Sequence, residues 1–292
     1  MGSILEQLIN GLRTGSIYAL IALGYTMVYG IAKMINFAHG DIIMVGAYAL
    51  YVLVALLKVP ALAAVLLTIM ICSVLGIIIE KVAYKPLRKA QGLSVLITAI
   101  GMSFLLQSLA LLIFKPNPIA FKSIIAVESV RLGDITISGI SLVTFVITFI
   151  CMIALTLFVN KTKTGTAMKA VSEDKAAAEL MGINVNRTIS ITFAIGSALA
   201  AVAGILFVCQ YQSVQPTLGA LPGIKAFVAA VLGGIGSIPG AMIGGIALGL
   251  IESISKAYIS SQLADAIVFG VLVVVLLVKP SGLLGKNRIE KV

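Results

Sequence analysis

The sequence predicts an all-α integral membrane protein, a polytopic helical bundle of about eight transmembrane helices, on three observations. First, 60% of its 292 residues are apolar and 11% are charged, where a soluble domain is about 45–50% apolar and about 25% charged. Second, mean hydropathy is +1.14, which excludes disorder as well, because disordered chains are poor in apolar residues. Third, the apolar runs approach the roughly 20 residues of a spanning helix and lack the alternation of membrane strands, which run about 9–11 residues. No polar stretch is left for a soluble catalytic domain, so 1–292 reads as a single transmembrane domain.

The segments follow in order. A first span covers about 8–30, then a broken stretch over 31–41 holds Lys33, Asn36, His39 and Asp41. Apolar runs at 42–57 and, after Pro60, at 61–79 lead to a basic loop, 80–92. A span at 93–114 reaches a polar loop, 115–138, and a span at 139–159 returns. A long charged loop runs from 160 to 187. A span at 188–208 and a short polar loop, 209–222, precede a Gly-rich apolar region, 223–252. The last span is about 264–278, followed by a basic tail.

Charge sets the orientation. The net charge is +10, from 21 Lys and Arg against 11 Asp and Glu. Basic loops facing the cytoplasm account for it without nucleic acid. Loop 80–92 (Lys81, Lys85, Arg88, Lys89), loop 160–187 (Lys161, Lys163, Lys169, Lys175, Arg187) and the tail (Lys279, Lys286, Arg288, Lys291) are therefore cytoplasmic. Loop 115–138, with Lys115, Lys122 and Arg131 against Glu128 and Asp134, belongs outside. Parity then makes 223–252 start and end on the same side, as a re-entrant hairpin or two short crossings. Its break is Gly233-Gly234-Ile235-Gly236-Ser237-Ile238-Pro239-Gly240, where Pro removes a donor and Gly permits unusual dihedrals. Irregular backbone at membrane depth must be buried in protein or line a wet cavity. The N-terminus lies outside if 31–41 simply returns the chain, and inside if that stretch is re-entrant. Met1 to Asn10 has neither a basic n-region nor a cleavage site, so no removed signal peptide is expected.

Enzyme and metal constellations are missing from the sequence. One histidine allows no multi-His site, and no P-loop pattern occurs. Cys72, Cys151 and Cys209 show no ligand spacing and read as small packing residues. Asn36, His39 and Asp41 are the most polar point of the first third. They either satisfy backbone at a helix break or serve function, because ionisable groups in a membrane cost about 2.5–3.5 kcal/mol each. Tyr18, Tyr25 and Tyr29 share a helix face, for packing or for lining a path. Gly236, Gly240 and Gly244, and Gly245 and Gly249, repeat at a spacing that lets helices approach. In loop 160–187, Ser172 as N-cap, Glu173 and Asp174 in the first turn and Gly182 at C′ predict a short helix over about 173–181. Its small apolar face of Ala177, Ala178, Leu180 and Met181 would pack on the bundle or dock a partner.

Ala176-Ala177-Ala178-x-x-x-Gly182 resembles the EAA-x-x-x-G loop of permease subunits of bacterial ABC importers, with Ala176 where the general pattern has Glu. Gly15-Ser16-Ile17-Tyr18-Ala19-Leu20, Asn36-Phe37-Ala38-His39-Gly40, Glu80 to Arg88 and Ala230 to Gly245 resemble, in the same order, the permease of the high-affinity branched-chain amino-acid importer (the LivH type). The resemblance implies a multi-pass permease of the bacterial inner membrane that moves Leu, Ile or Val by alternating access and is not itself an enzyme. It also implies partners: a second homologous permease subunit, two cytoplasmic ATP-binding subunits that use ATP and Mg, and an extracytoplasmic substrate-binding protein. On this reading the chain binds no cofactor, and membrane lipid surrounds it. Ser172, Glu173, Asp174, Ala177, Ala178, Glu179 and Gly182 would couple to the ATPase. Tyr18, Tyr25, Asn36, His39, Gly233, Gly234, Gly236, Pro239 and Gly240 would line the path. The alternative is a stand-alone secondary transporter or channel using Asp41, Glu80, Glu252 or Asp265, most of which sit near segment ends that solvent reaches.

Overall fold

The structure is a computed structural model and describes residues 4–88, 90–132 and 135–285. Lys89, Asp134, Lys286, Arg288 and Lys291, named above as loop and tail charges, lie outside the described residues. Among the described residues, seven helices are long and apolar enough to cross a membrane, and two more apolar helices are shorter.

Helix α1 (Ile4–Ala32) is the central post, buried along most of its length. It ends at Lys33, in the left-handed region at φ 58°. Residues 33–38 then climb back along α1. Helix α2 (His39–Tyr51) therefore starts beside Gly24 and Tyr25, part of the way up α1 rather than at its end. A π-helical turn, Val52–Leu56, and Pro60 lead into α3 (Ala61–Ile79). A second π turn, Glu80–Tyr84, prolongs α3 into what the sequence suggests is the start of a loop. Then come α4 (Gly92–Phe114), α5 (Gly139–Lys161), α6 (Lys163–Glu173), α7 (Lys175–Leu180) and α8 (Val185–Tyr211). The last three are α9 (Ala220–Gly233), α10 (Ile238–Tyr258) and α11 (Ala264–Val278). Four short strands lie between them: β1 (Ile119–Ala120), β2 (Val130–Leu132), β3 (Ile135–Ile137) and β4 (Ser213–Val214).

The two ends of the bundle are defined by contacts between loops. At the basic end, Arg88 hydrogen-bonds Asn186, Lys175 Nζ donates to the Ala32 carbonyl (3.1 Å), and Leu283 N donates to Leu232 O (2.8 Å). At the opposite end, β1 pairs antiparallel with β4, joining the two loops that parity puts outside. Because Ala32 is at the basic end, the Ile4 end of α1 is at the other, as expected if 31–41 returns the chain.

Helix α10 has two glycine faces. Along one, Gly245 and Gly249 press against Ala19 and Gly15 of antiparallel α1. A Cβ added at Gly11 would lie 2.9 Å from Leu250 Cα. Along the other, Gly240 and Gly244 press against Gly233 and Ala229 of α9. The spacing expected for helix packing thus builds two interfaces from one helix.

The Gly-rich region crosses twice, the first time by a broken route. Residues 212–219 descend from the strand pair into the bundle, where Gly219 and Gly223 touch Gly40. Helix α9, with 14 residues, then completes the traverse to the basic end. At about 1.5 Å per residue its roughly 21 Å would not span a core of about 30 Å alone. The break before α10 falls at Gly234 (φ 101°) and Gly236 (φ 96°), where L side chains are strained. Ser237 Oγ caps α10 by accepting from Gly240 N (3.2 Å).

Candidate functional site: a file of cavities and a helical foot at the basic end

Two half-helix N-termini meet inside the bundle. Gly40 in the first turn of α2 packs on Gly219 and Gly223 beside the start of α9, so neither backbone tolerates a larger residue there. Beside this junction is a cavity of about 270 Å³ lined by Tyr25, Asp41, Ser103, Gln107, Gly223 and Ile224, among others. Toward the basic end the route narrows at three rings. Tyr25 and Phe37 each approach Phe227 at 5.7 Å between ring centroids. Below them a gap of about 10 Å³ is bounded by Tyr25, Tyr29, Phe227 and Ile235. Ile235 in turn lines a cavity of about 450 Å³ with Gly30, Lys33, Gly236, Pro239 and Glu173. Tyr25 belongs to the first and second spaces and Ile235 to the second and third, so the three form a file along α1 and α9.

The residues expected along a path do not all reach it. Tyr25, Gly236 and Pro239 border the file. His39 stands next to it, 4.6 Å from Tyr25 by ring centroids. Its ring is buried against Gly24, beside the Ile21 backbone. Asn36 accepts from Tyr84 OH at Oδ1 (2.9 Å). At the break the Asn36 oxygen is thus held by a side chain and not by free backbone. Gly233, Gly234 and Gly240 hold backbone contacts, Gly234 against Gly285 and the other two against each other. Tyr18 lies apart. Its hydroxyl donates to Glu252 Oε2 (2.8 Å).

Glu252, itself buried, anchors a charge network whose outer members Lys256 and Asp265 are half exposed, and which the sequence hints at only in part. Lys225 Nζ of α9 donates to Glu252 Oε1 (2.9 Å) and pairs with Asp265 of α11 (2.6 Å). Lys256 Nζ donates to the same Glu252 oxygen (2.5 Å). Two cations and two anions thus close a neutral cluster across α9, α10 and α11, with Tyr18 joining α1. Lys225 escapes the sequence reading, although a lone cation in an apolar run is itself a signal. The carboxylates weighed for an ion site are mostly not at solvated ends: Asp41 is 2% exposed, Glu80 0% and Glu252 2%. Only the Asp265 side chain is open, at 45%.

At the basic end the charged loop folds into two helices rather than one. Helix α6 begins at Thr162, whose Oγ1 accepts from Gly165 N (3.0 Å), and buries Met168 and Val171. Ser172 is inside α6, its hydroxyl donating to Lys169 O (2.7 Å), and Glu173 ends that helix. The expected cap of the short helix is therefore corrected. Asp174, not Ser172, caps α7, its Oδ1 accepting from Ala176 N (2.8 Å) and Ala177 N (3.0 Å). The reason is that α6 already uses Ser172, leaving the extended residue at 174 to turn the chain. Gly182 does follow α7 with φ 80°. The apolar face is split: Ala178 is buried, while Leu180 and Met181 are 89% and 82% exposed. Ala177 and Glu179 are exposed too.

This foot is tied to the bundle. Lys175 reaches the end of α1 as above, and partial burial, with Arg88 adding to it, holds its ammonium below the usual lysine range. Just past α7, Asn184 Oδ1 caps α8 by accepting from Arg187 N (2.9 Å). Arg88 bridges Asn186 to the buried Glu80, whose other oxygen accepts from Ser190 Oγ (2.6 Å). Displacing α7 would thus act on α1, α3 and α8 together.

Known proteins share this chain's sequence along its whole length. It is 46% identical to the high-affinity branched-chain amino acid transport system permease protein BraD of Pseudomonas aeruginosa, over 99% of this chain and 98% of that protein. It is 45% identical to the permease protein LivH of the corresponding system of Escherichia coli, over 99% and 97%. A probable branched-chain amino acid transport permease protein of Methanocaldococcus jannaschii is 30% identical over 92% and 89%. The family described as branched-chain amino acid transport system / permease component matches residues 7–277, and the chain belongs to that family.

Proposed function

We propose that this chain is one permease subunit of an ABC importer in the bacterial inner membrane, carrying Leu, Ile and Val inward by alternating access. A second homologous permease subunit completes the path, two cytoplasmic ATP-binding subunits use ATP and Mg, and an extracytoplasmic binding protein delivers the amino acid. This chain binds no cofactor and catalyses no reaction. The substrate class rests on the named relatives. The observation that supports the mechanism is the combination of an exposed apolar foot and two cavities separated by aromatic rings. Leu180 and Met181 are apolar and exposed on α7, while Tyr25, Phe37 and Phe227 separate the two larger cavities.

In this scheme an ATPase subunit grips α7 through Leu180, Met181, Ala177 and Glu179. Its movement passes through Lys175 to α1 and through the Asn186–Arg88–Glu80 bridge to α3 and α8. Relative movement of α1 and α9 parts the aromatic rings and joins the two cavities, a rigid-body switch between two packings. The apolar rings suit an aliphatic side chain in passage.

The test is coupling in the reconstituted complex. Leu180→Asp with Met181→Asp should reduce leucine uptake and detach ATP hydrolysis from it while the bundle stays folded. Coupling equal to that of the unaltered complex would overturn the docking role of α7.

A further inference from the structure

A carboxylate, two helix N-termini and an apolar wall meet at the smaller cavity, and together they have the chemistry of a site for a zwitterion. Asp41 is 2% exposed, yet it has no cationic partner among the described residues. Its Oδ1 accepts from Gln107 Nε2 (2.9 Å), which also donates to Ser103 Oγ (3.2 Å). The carboxylate lies in the first turn of α2, where the helix dipole favours an anion. Every other buried carboxylate described has a cation on it: Glu80 has Arg88 and Glu252 has Lys225 and Lys256. Asp41 differs, and it alone of the three borders the about 270 Å³ cavity. That volume is near the low end of small-molecule pockets, at about 300–1,000 Å³.

The remaining lining completes the fit. The first turn of α9 meets the cavity through Ala220 and Gly223; their N–H groups bond Thr217 O and Gly219 O and Pro222 has none, so this end offers the positive pole of a second helix dipole more than free backbone donors. Such ends suit carboxylates. Phe37, Ile100, Phe104 and Ile224 supply apolar walls, of which Ile100, Phe104 and Ile224 are exposed.

We propose that this cavity is the transit site for an aliphatic amino acid, with Asp41 receiving its ammonium group, the α9 N-terminus facing its carboxylate and the Phe37–Ile100–Phe104–Ile224 wall taking its side chain. This deepens the transport reading above and rests on it. Without substrate, Ser103, Gln107 and the α2 dipole hold the carboxylate. With substrate, the ammonium neutralises it, and the one remaining negative charge, the substrate's own carboxylate, is left to the dipole of the α9 N-terminus. A keto acid of the same shape has no ammonium to offer and is not held.

The experiment uses the assembled complex, with Cys72, Cys151 and Cys209 of this chain replaced by Ala and Ser103→Cys introduced. Ile100→Cys, on the same wall, serves if Ser103→Cys does not assemble. Labelling of that cysteine is followed by mass spectrometry with a cationic and an anionic methanethiosulfonate of similar size. The site predicts that the cationic reagent reacts about tenfold faster or more, the scale of charge focusing in a cleft. It predicts that saturating leucine slows labelling and that 4-methyl-2-oxopentanoate does not. Asp41→Asn should erase both the charge preference and the leucine protection, and Asp41→Glu should restore the preference. Equal labelling by both reagents, with no leucine protection, in a complex that still takes up leucine would overturn the site. Leucine-protected labelling in a complex that takes up no leucine would overturn the transport reading and keep the site.

Discussion

Glu252 accepts three hydrogen bonds at once, from Tyr18, Lys225 and Lys256, so its partners back one another up. Breaking a buried ion pair outright costs about 3–5 kcal/mol. Lys225→Met leaves Lys256 and Tyr18 in place, so its expected cost in detergent unfolding is about 1–3 kcal/mol, the scale of a lost charged hydrogen bond. Lys225→Met with Lys256→Met should cost more than the sum of the two, by about 0.5–3 kcal/mol of coupling. Strict additivity would mean that the residues do not share one carboxylate. This network was only half legible in the sequence. Glu252 and Asp265 stand out as charges beside apolar runs, but the Tyr18 contact spans 234 positions, and no local pattern encodes a pairing at that distance. Asp41 was legible as a polar point, whereas its cavity needs α4 and α9 to be in place.

At the scale of elements, the spans could be read because each is an uninterrupted apolar run, and the α9–α10 break because Gly and Pro punctuate it. The misreading was at α7. Ser172 and Asp174 are both good caps two positions apart, and only the presence of α6 decides between them. Asp174→Ala should weaken α7 by about 1 kcal/mol, the usual value of an N-cap. Gly182→Ala forces a Cβ into the left-handed region, at about 1–2 kcal/mol, with no atom within 4 Å to clash. Both substitutions should lower coupled uptake while the thermal midpoint of the bundle stays within a degree or two. A large fall in that midpoint would show that α7 is part of the bundle's stability and not a separate foot. The glycine faces of α10 behave oppositely. Gly249→Val drives a side chain into the backbone of Gly15 and should cost about 1–3 kcal/mol or more. Gly101→Ala in α4, with nothing within 4 Å, is the tolerated control, and size-exclusion profiles of the two distinguish them.

For the whole molecule, the structure shows a central α1 clasped by α8, α9 and α10, and outer helices α3, α4 and α5 with long exposed apolar faces. Its charged foot is at one end and its strand-paired loops at the other. This asymmetry was already visible in the distribution of the chain's few charges. On the proposed mechanism, transport through this file is driven from outside the chain, through α7. It is tested most directly by leucine uptake into proteoliposomes holding either this chain alone or the chain with its second permease, ATPases and binding protein. Uptake is expected only in the full complex and only with ATP and Mg, and none by the chain alone under an imposed proton gradient. Gradient-driven uptake by the chain alone would contradict this mechanism and assign the transport to a self-sufficient carrier.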